Sequence, residues 1–323
     1  MANAKEPIDI VYTWVDDSFA GYREELNRYV ADKRDTNPNR TRDNLDIIRY
    51  SMRSVARYLP QVRKIHFVSC RPQIPAWLDP DHPKLDIVHH DRIMAPGILP
   101  TFNSFCIVSH LHLIPGLSRR FVYFEDDMLA MSPDLHGALF APDGRPLVHC
   151  SPDRVLPLHR LNPATSSPWN LSLANADAAL SDRFGPGPRQ HVIHGPQVMD
   201  VDVCEAMCRE FPALIETTRR SRFRGIDNVP PEFLARHMAV ETGAAVLAGW
   251  GQSSRVQGYV SLENFAPWTW WQLRRVEARK ALSVTLNDSF GGRPNPRVEA
   301  MVRARLHRWF PDPAPWEMAA RGL

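Results

Sequence analysis

Short apolar runs that end abruptly in acids constrain this chain more than any other feature. Phe121–Met128 reads FVYFEDDM: five residues of strand composition, three aromatic and one β-branched, lead without a break into Glu125, Asp126 and Asp127. A run this short suits a strand buried on both faces of a sheet. Carboxylates cannot stay ionised there, so the acids must emerge where the strand stops. Ile8–Val15 repeats the pattern and stops at Asp16-Asp17, and Leu282–Leu286 stops at Asn287-Asp288. Lys64–Ser69 and Leu85–Val88 read as further strands. Asn44–Leu59 has helical spacing, with Leu45, Ile48, Met52, Val55, Ala56 and Leu59 on one stripe, Asp43 as N-cap and Pro60 as stop. Asn103–Ile114, Val201–Phe211 and Glu232–Glu241 also read as helices. This alternation predicts an α/β fold, a largely parallel Rossmann-like sheet flanked by helices, whose ligands bind at the carboxyl ends of the strands.

A chain of 323 residues, 44% hydrophobic and 23% charged, can bury one large α/β domain. Tyr22–Arg42 is polar, with a loop at Asn37–Asn39. Residues 142–190 are rich in Pro, Asn, Ser and Asp with one modest helix near Leu173–Phe184, and are expected to form an insertion or lid. The stretch 249–275 carries Trp250, Trp268, Trp270 and Trp271; such a cluster is more often core packing than a sugar-stacking platform. Within 296–323, Arg297–Phe310 forms a basic amphipathic helix suited to surface docking, a membrane surface included, rather than to insertion.

The net charge of +3 is too balanced for nucleic acid. Five cysteines with no C-x-x-C pair suit buried thiols in a reducing cytoplasm. No apolar signal core opens the sequence, and no run of about 18 apolar residues occurs, so a soluble cytoplasmic protein is expected. Dinucleotide, P-loop, nucleophile-elbow and H-E-x-x-H motifs are missing.

If the three acid-ended strands are parallel neighbours, their carboxylates converge on one edge and offer oxygen ligands to Mg²⁺ or Mn²⁺ with substrate phosphates. Phe121–Met128 alone is equally well explained by a solvated acidic turn. His194, in HVIHGP, sits at an element boundary fixed by a Gly-Pro turn, within reach of a substrate as base or acid. His89-His90 has a similar profile. Arg219, Arg220, Arg222 and Arg224 suit bidentate phosphate binding or a basic surface turn. Asn103-Ser104 would open a helix and cap it, which is compatible with anion binding.

These blocks resemble the Stealth proteins, which include bacterial capsule polysaccharide hexose-1-phosphate transferases and the animal enzyme that places N-acetylglucosamine-1-phosphate on lysosomal glycoproteins. The matching blocks are IDIVYTWVDDS at Ile8; RYSMRSVARYLPQVRKIHFVS at Arg49 through QIPAWL and LPTFNS to FVYFEDDM; HGPQVMD at His194 with SRFRGIDNVP at Ser221; and SVTLNDSF at Ser283. Two positions depart from the family's usual pattern: Asp17 replaces a glycine, with Phe19 after Ser18, and Glu125 replaces an asparagine, adding a charge beside the paired acids.

The resemblance implies a GT-A-like sheet and transfer of a sugar-1-phosphate from a nucleotide-diphosphate sugar, of the UDP-N-acetylhexosamine type, to a saccharide acceptor. An acceptor hydroxyl attacks the phosphorus next to the sugar and nucleoside monophosphate leaves. Expected roles are metal binding by Asp126, Asp127 and Asp288, a phosphate clamp by Arg224, and proton removal by His194 with Asp16 as competitor. Trp14, Asp17, Arg53, Asn103, Ser104, Arg222 and Asn287 are expected to touch substrate. The alternatives are a metal-dependent glycosyltransferase, which releases nucleoside diphosphate, and a carbohydrate-binding protein without catalysis.

Overall fold

The computed structural model describes residues 7–29 and 41–318. The loop expected at Asn37–Asn39 lies outside them. Its strands are β1 (Asp9–Thr13), β2 (Ile65–Ser69), β3 (Leu85–His89), β4 (Arg120–Glu125), β5 (Met128–Ala130), β6 (Leu147–Val148), β7 (Cys150–Arg154), β8 (Gln190–Val192), β9 (Gln197–Asp200), β10 (Val246–Leu247), β11 (Gln257–Leu262) and β12 (Ser283–Asp288). Its helices are α1 (Tyr22–Arg28), α2 (Ile47–Tyr58), α3 (Ser104–Val108), α4 (Leu135–Ala138), α5 (Pro168–Phe184), α6 (Val201–Glu210), α7 (Pro212–Arg220), α8 (Pro231–Glu241), α9 (Trp250–Val256), α10 (Ala266–Arg279) and α11 (Pro296–Trp309).

The main sheet has the order β3-β2-β1-β4-β9, with the first four strands parallel and β9 antiparallel. Alternate residues of β1 feed two cores. Ile10 and Tyr12 lie with Phe67, Val122 and Phe124 against Ile48, Met52 and Val55 of α2. Val11 lies with Val68, Phe121 and Tyr123 against residues of α5, α6 and α8. Helices on both faces leave no wet side, which is why these strands are mostly apolar; two exceptions, Asp9 and His66, are buried against each other at 3.2 Å. Each fully buried large side chain contributes roughly 1.5–3 kcal/mol.

A second sheet has the order β11-β12-β5, parallel at the first pair and antiparallel at the second. Its Leu129, Val260, Leu262, Val284 and Leu286 pack with Leu273 and Val276 of α10 and Val298, Val302 and Leu306 of α11. The chain passes from one sheet to the other at Asp126-Asp127, the two residues between β4 and β5. This seam is pinned from both sides. The Leu286 amide of β12 donates to the Asp127 carbonyl at 2.9 Å, and the Ala130 amide of β5 donates to Ser54 Oγ of α2 at 2.9 Å.

The stretch 142–190, expected as an insertion or lid, is irregular, and its helix α5 buries Leu171, Leu173, Ala174, Ala176 and Leu180. Several expectations need correction. Asp46, in a left-handed conformation, stands at the N-cap of α2, and Asp43 accepts from the Ile47 amide from outside the helix. The helix expected over Asn103–Ile114 ends at Val108. There Ser109 Oγ and the His110 ring both bond the Cys106 carbonyl, taking the acceptor that another turn would use. The four tryptophans of 249–275 are exposed rather than packed in a core. Among the described residues no helix is long and apolar enough to cross a membrane.

Candidate active site

Parallel pairing sets Thr13 beside Glu125, so β1 and β4 deliver Asp16, Asp17 and the Glu125–Asp127 acids to one edge. The antiparallel β9 reaches the same edge by its beginning: Gln197 pairs with Tyr123, which leaves His194 just before the strand and at the acids. The Thr285 hydroxyl of β12 holds the His194 carbonyl at 2.7 Å, tying the turn to the second sheet.

His194 Nε2 stands 3.3 Å from Glu125 Oε2 and 3.7 Å from Asp127 Oδ1. One ligand atom from each of Glu125, Asp127 and His194 falls within 4.8 Å of the others. Asp127 Oδ1 is buried without a hydrogen-bond partner, so a group that this oxygen should face is missing from the protein alone. An imidazole and two carboxylates, one of them with an orphaned oxygen, are a donor set that fits a divalent cation. Mixed N,O ligation suits Mn²⁺ better than the all-oxygen preference of Mg²⁺.

The charges are strongly coupled. Burial alone would lower the His194 pKa, but Asp127 and Glu125 outweigh it and raise it to about 9. Burial lifts Asp127 to about 6, with His194 opposing the rise. Burial, then Asp127, Asp43 and Glu125, push Asp126 well above the carboxylate range. Glu125 is the exception: burial pushes it up, but His194, Arg224 and Arg236 prevail and hold it low.

The expected ligand set is therefore rearranged. Asp288 does not join the cluster, because its Oδ2 accepts Arg42 Nη2 at 2.6 Å and Nε at 3.0 Å. Asp126 lies outside it too, and Glu125 and His194 take their places beside Asp127. Arg224 lies over the Phe105 ring at 4.4 Å and the Trp169 ring at 5.7 Å, and donates to Ser104 Oγ through Nε at 3.0 Å. Arg222 stacks on Tyr29 at 4.6 Å, with a buried Nε that has no hydrogen-bond partner. Asp16 caps its own turn by accepting from the Ser18 amide and hydroxyl, at 2.9 and 2.7 Å. Asp17 is held by Arg23 at 2.9 Å and Thr41 at 3.0 Å, and Asn287 Nδ2 donates to Ser289 at 3.0 Å.

Three residues expected at the substrate are held within the fold. Trp14 is buried between Phe19 and Phe67, and its indole donates to Asp43 at 2.8 Å. Arg53 is buried and grips Glu317 at 2.6 Å. Asn103 is wholly buried; it caps α3 through the Phe105 amide at 3.1 Å and donates to Ser221 O at 3.0 Å and Asn228 Oδ1 at 2.9 Å.

Two groups were missed. Asp43, lifted by burial to about 7, adds to the field on Asp126, and it hid in the sequence as a helix cap. Arg42 holds Asp288 and hid in a polar stretch with no periodicity.

Residues 40–147 match the family model for Stealth protein conserved region 2, and residues 193–241 that for conserved region 3. An exopolysaccharide phosphotransferase of Streptomyces coelicolor is 33% identical over 320 residues, covering 98% of this chain and 53% of that one. The exopolysaccharide phosphotransferase CpsY of Mycobacterium tuberculosis is 33% identical over 321 residues, covering 97% of this chain and 58% of that one. The chain thus spans about half the length of these relatives. Among solved structures, a galactosyltransferase in complex with donor and acceptor sugar analogues aligns over 94% of this chain and 97% of its own, at a TM-score of 0.45 and 10% identity. That similarity is one of outline and carries no weight below.

Proposed function

The chain belongs to the Stealth family, and on that premise we propose that it transfers a sugar-1-phosphate from a nucleotide-diphosphate sugar to a sugar hydroxyl in polysaccharide synthesis. The donor is of the UDP-N-acetylhexosamine type. The acceptor oxygen bonds to the phosphorus that bears the sugar, and the bond from that phosphorus to the bridging oxygen breaks. Nucleoside monophosphate leaves and a phosphodiester remains. The observation that carries this reading is the cluster of Glu125, Asp127 and His194 at the carboxyl edge of the sheet.

Those three residues would hold a divalent cation, Mn²⁺ better than Mg²⁺, which supplies neutralisation of the diphosphate and of the departing phosphate. Arg224, oriented by Ser104 and by the Phe105 and Trp169 rings, is the phosphate clamp, and Arg222 is its neighbour in that role. His194 is not suited to take the hydroxyl proton. As a ligand it would lend the cation Nε2, the nitrogen that faces the acids. We assign the base to Asp126, the turn's one carboxylate outside the cation cluster; a bound cation would offset the repulsion from Asp127 and Glu125 and leave it ionised to accept the proton.

The test is a screen of nucleotide sugars with Mn²⁺ and a saccharide acceptor, identifying the nucleotide released. Monophosphate is expected. Diphosphate would make the protein a glycosyltransferase, and no turnover with any donor would favour a carbohydrate-binding role. Asp126→Asn is expected to lose turnover by about 10²–10⁴-fold with cation affinity kept. His194→Ala should lose the cation first; near wild-type Mn²⁺ affinity and turnover in that variant would remove His194 from the site.

A further inference from the structure

The outer face of α10 has no place in the reaction and is unusual for a surface helix. Thr269, Leu273 and Val276 point into the second sheet, and Gln272 is buried beside them. On the far side Trp268, Trp270 and Trp271 are each 42–49% exposed, and Phe265 just before the helix is 65% exposed. Arg274 and Arg275 lie among them, and Arg279 and Lys280 follow at the exposed end. Glu277, the acid of this face, is taken up by Arg305 at 2.6 Å and by the Trp309 indole at 2.8 Å from α11. Glu263 sits at the aromatic end, where it receives the Trp268 indole at 3.3 Å. What α10 presents outward is therefore aromatic and net cationic.

The rings are not arranged as a sugar platform. Trp268 and Trp271 stack on each other, 5.0 Å between centroids and 15° from parallel. Arg275 covers Trp271 at 5.2 Å, and Arg274 approaches Trp270 at 5.9 Å. Trp271 thus has a ring and a guanidinium as partners, and Trp268 and Trp270 one each, so few ring faces remain for a pyranose. Aromatic rings interleaved with arginines match the headgroup level of a bilayer, where indoles settle and anionic lipids attract basic side chains. Arg274, Arg275, Trp271, Glu277 and Ala278 also line a surface cavity of about 550 Å³. With Glu277 neutralised, the arginines there can receive a phosphodiester headgroup.

We propose that the outer face of α10 docks this protein on an anionic lipid surface. Its position in the fold orients the docked molecule. β11 and β12 are parallel, so the aromatic start of α10, which follows β11, lies at the end of the small sheet where the Leu286 amide holds the Asp127 carbonyl. The docked helix thus begins at the end of the small sheet that meets the candidate active site.

Sedimentation with phosphatidylcholine vesicles, with and without phosphatidylglycerol, tests this, with tryptophan emission recorded in parallel. The intact protein should partition about tenfold better on the anionic vesicles, weaken with added salt, and shift its emission to the blue. Arg274→Glu/Arg275→Glu should lose that preference, and Trp270→Ser/Trp271→Ser should lose partitioning and most of the blue shift. Both double variants alter exposed positions only and should keep wild-type turnover of soluble substrates. Equal binding to neutral and anionic vesicles, or variants that partition as wild type, would overturn the proposal. So would emission that responds to soluble oligosaccharide and not to lipid.

Discussion

At the scale of single residues the site turns on one proton. His194 lies against Glu125 and Asp127, and its pKa is raised to about 9, so at neutral pH a proton occupies the nitrogen that a cation would need. Below about pH 6 Asp127 becomes protonated as well. Both effects have the same sign: protons compete with metal, and affinity climbs with pH. Mn²⁺ titrations by calorimetry should show tightening from pH 6 to 9 with release of about one proton per ion near neutrality. In His194→Gln the slope above pH 7 should vanish, and an unchanged slope would place the cation elsewhere. The sequence pointed to Asp127 and His194 because both end or begin recognisable elements. It could not show how Asp288 is held, because a carboxylate's partner, here Arg42 some 246 positions away, leaves no local trace.

At the scale of elements, α2 illustrates what spacing conveys and what it omits. Its apolar stripe was legible, and so was its stop before Pro60. The use of its arginines was not, since Arg53 reads the same whether it meets a phosphate or a carboxylate. In the fold Arg53 binds Glu317 through Nε and Nη2, at 2.6 and 2.8 Å, and donates to the Phe310 carbonyl at 3.0 Å, clasping the segment after α11 onto α2. Arg53→Ala removes two of the three guanidinium bonds of a buried carboxylate, which keeps Arg49 at 2.7 Å, and should cost about 2 kcal/mol in denaturant unfolding, with donor affinity unchanged. A variant that stays stable but loses donor binding would return Arg53 to the site. The strands tell a similar story. β1, β2, β3 and β4 were readable as dense apolar runs, whereas β5 and β9, of three and four residues, are too short for periodicity to register. Yet β9 is the strand that brings His194 to the acids.

For the whole molecule, parallel order and a carboxyl-edge site followed from the alternation of elements, and the family's blocks lie where that edge is built. Hidden from the sequence was the division into two sheets. FVYFEDDMLA reads as one strand and its turn, but β4 belongs to one sheet and β5 to the other, and pairing partners far along the chain decide which. Asp126 and Asp127 are consequently a suture as well as a binding turn. Whatever grips their side chains also braces the join. Amide hydrogen exchange offers a gauge of that bracing, because the Leu286 amide donates to the Asp127 carbonyl across the suture. Mn²⁺ with nucleotide sugar should slow exchange at Leu286 and, one strand over, at Leu129, while amides of β3 at the far edge keep their rates. Slowing confined to the turn would mean that the two sheets move independently; slowing across it would make substrate the stitch that turns two half-domains into one stiff body.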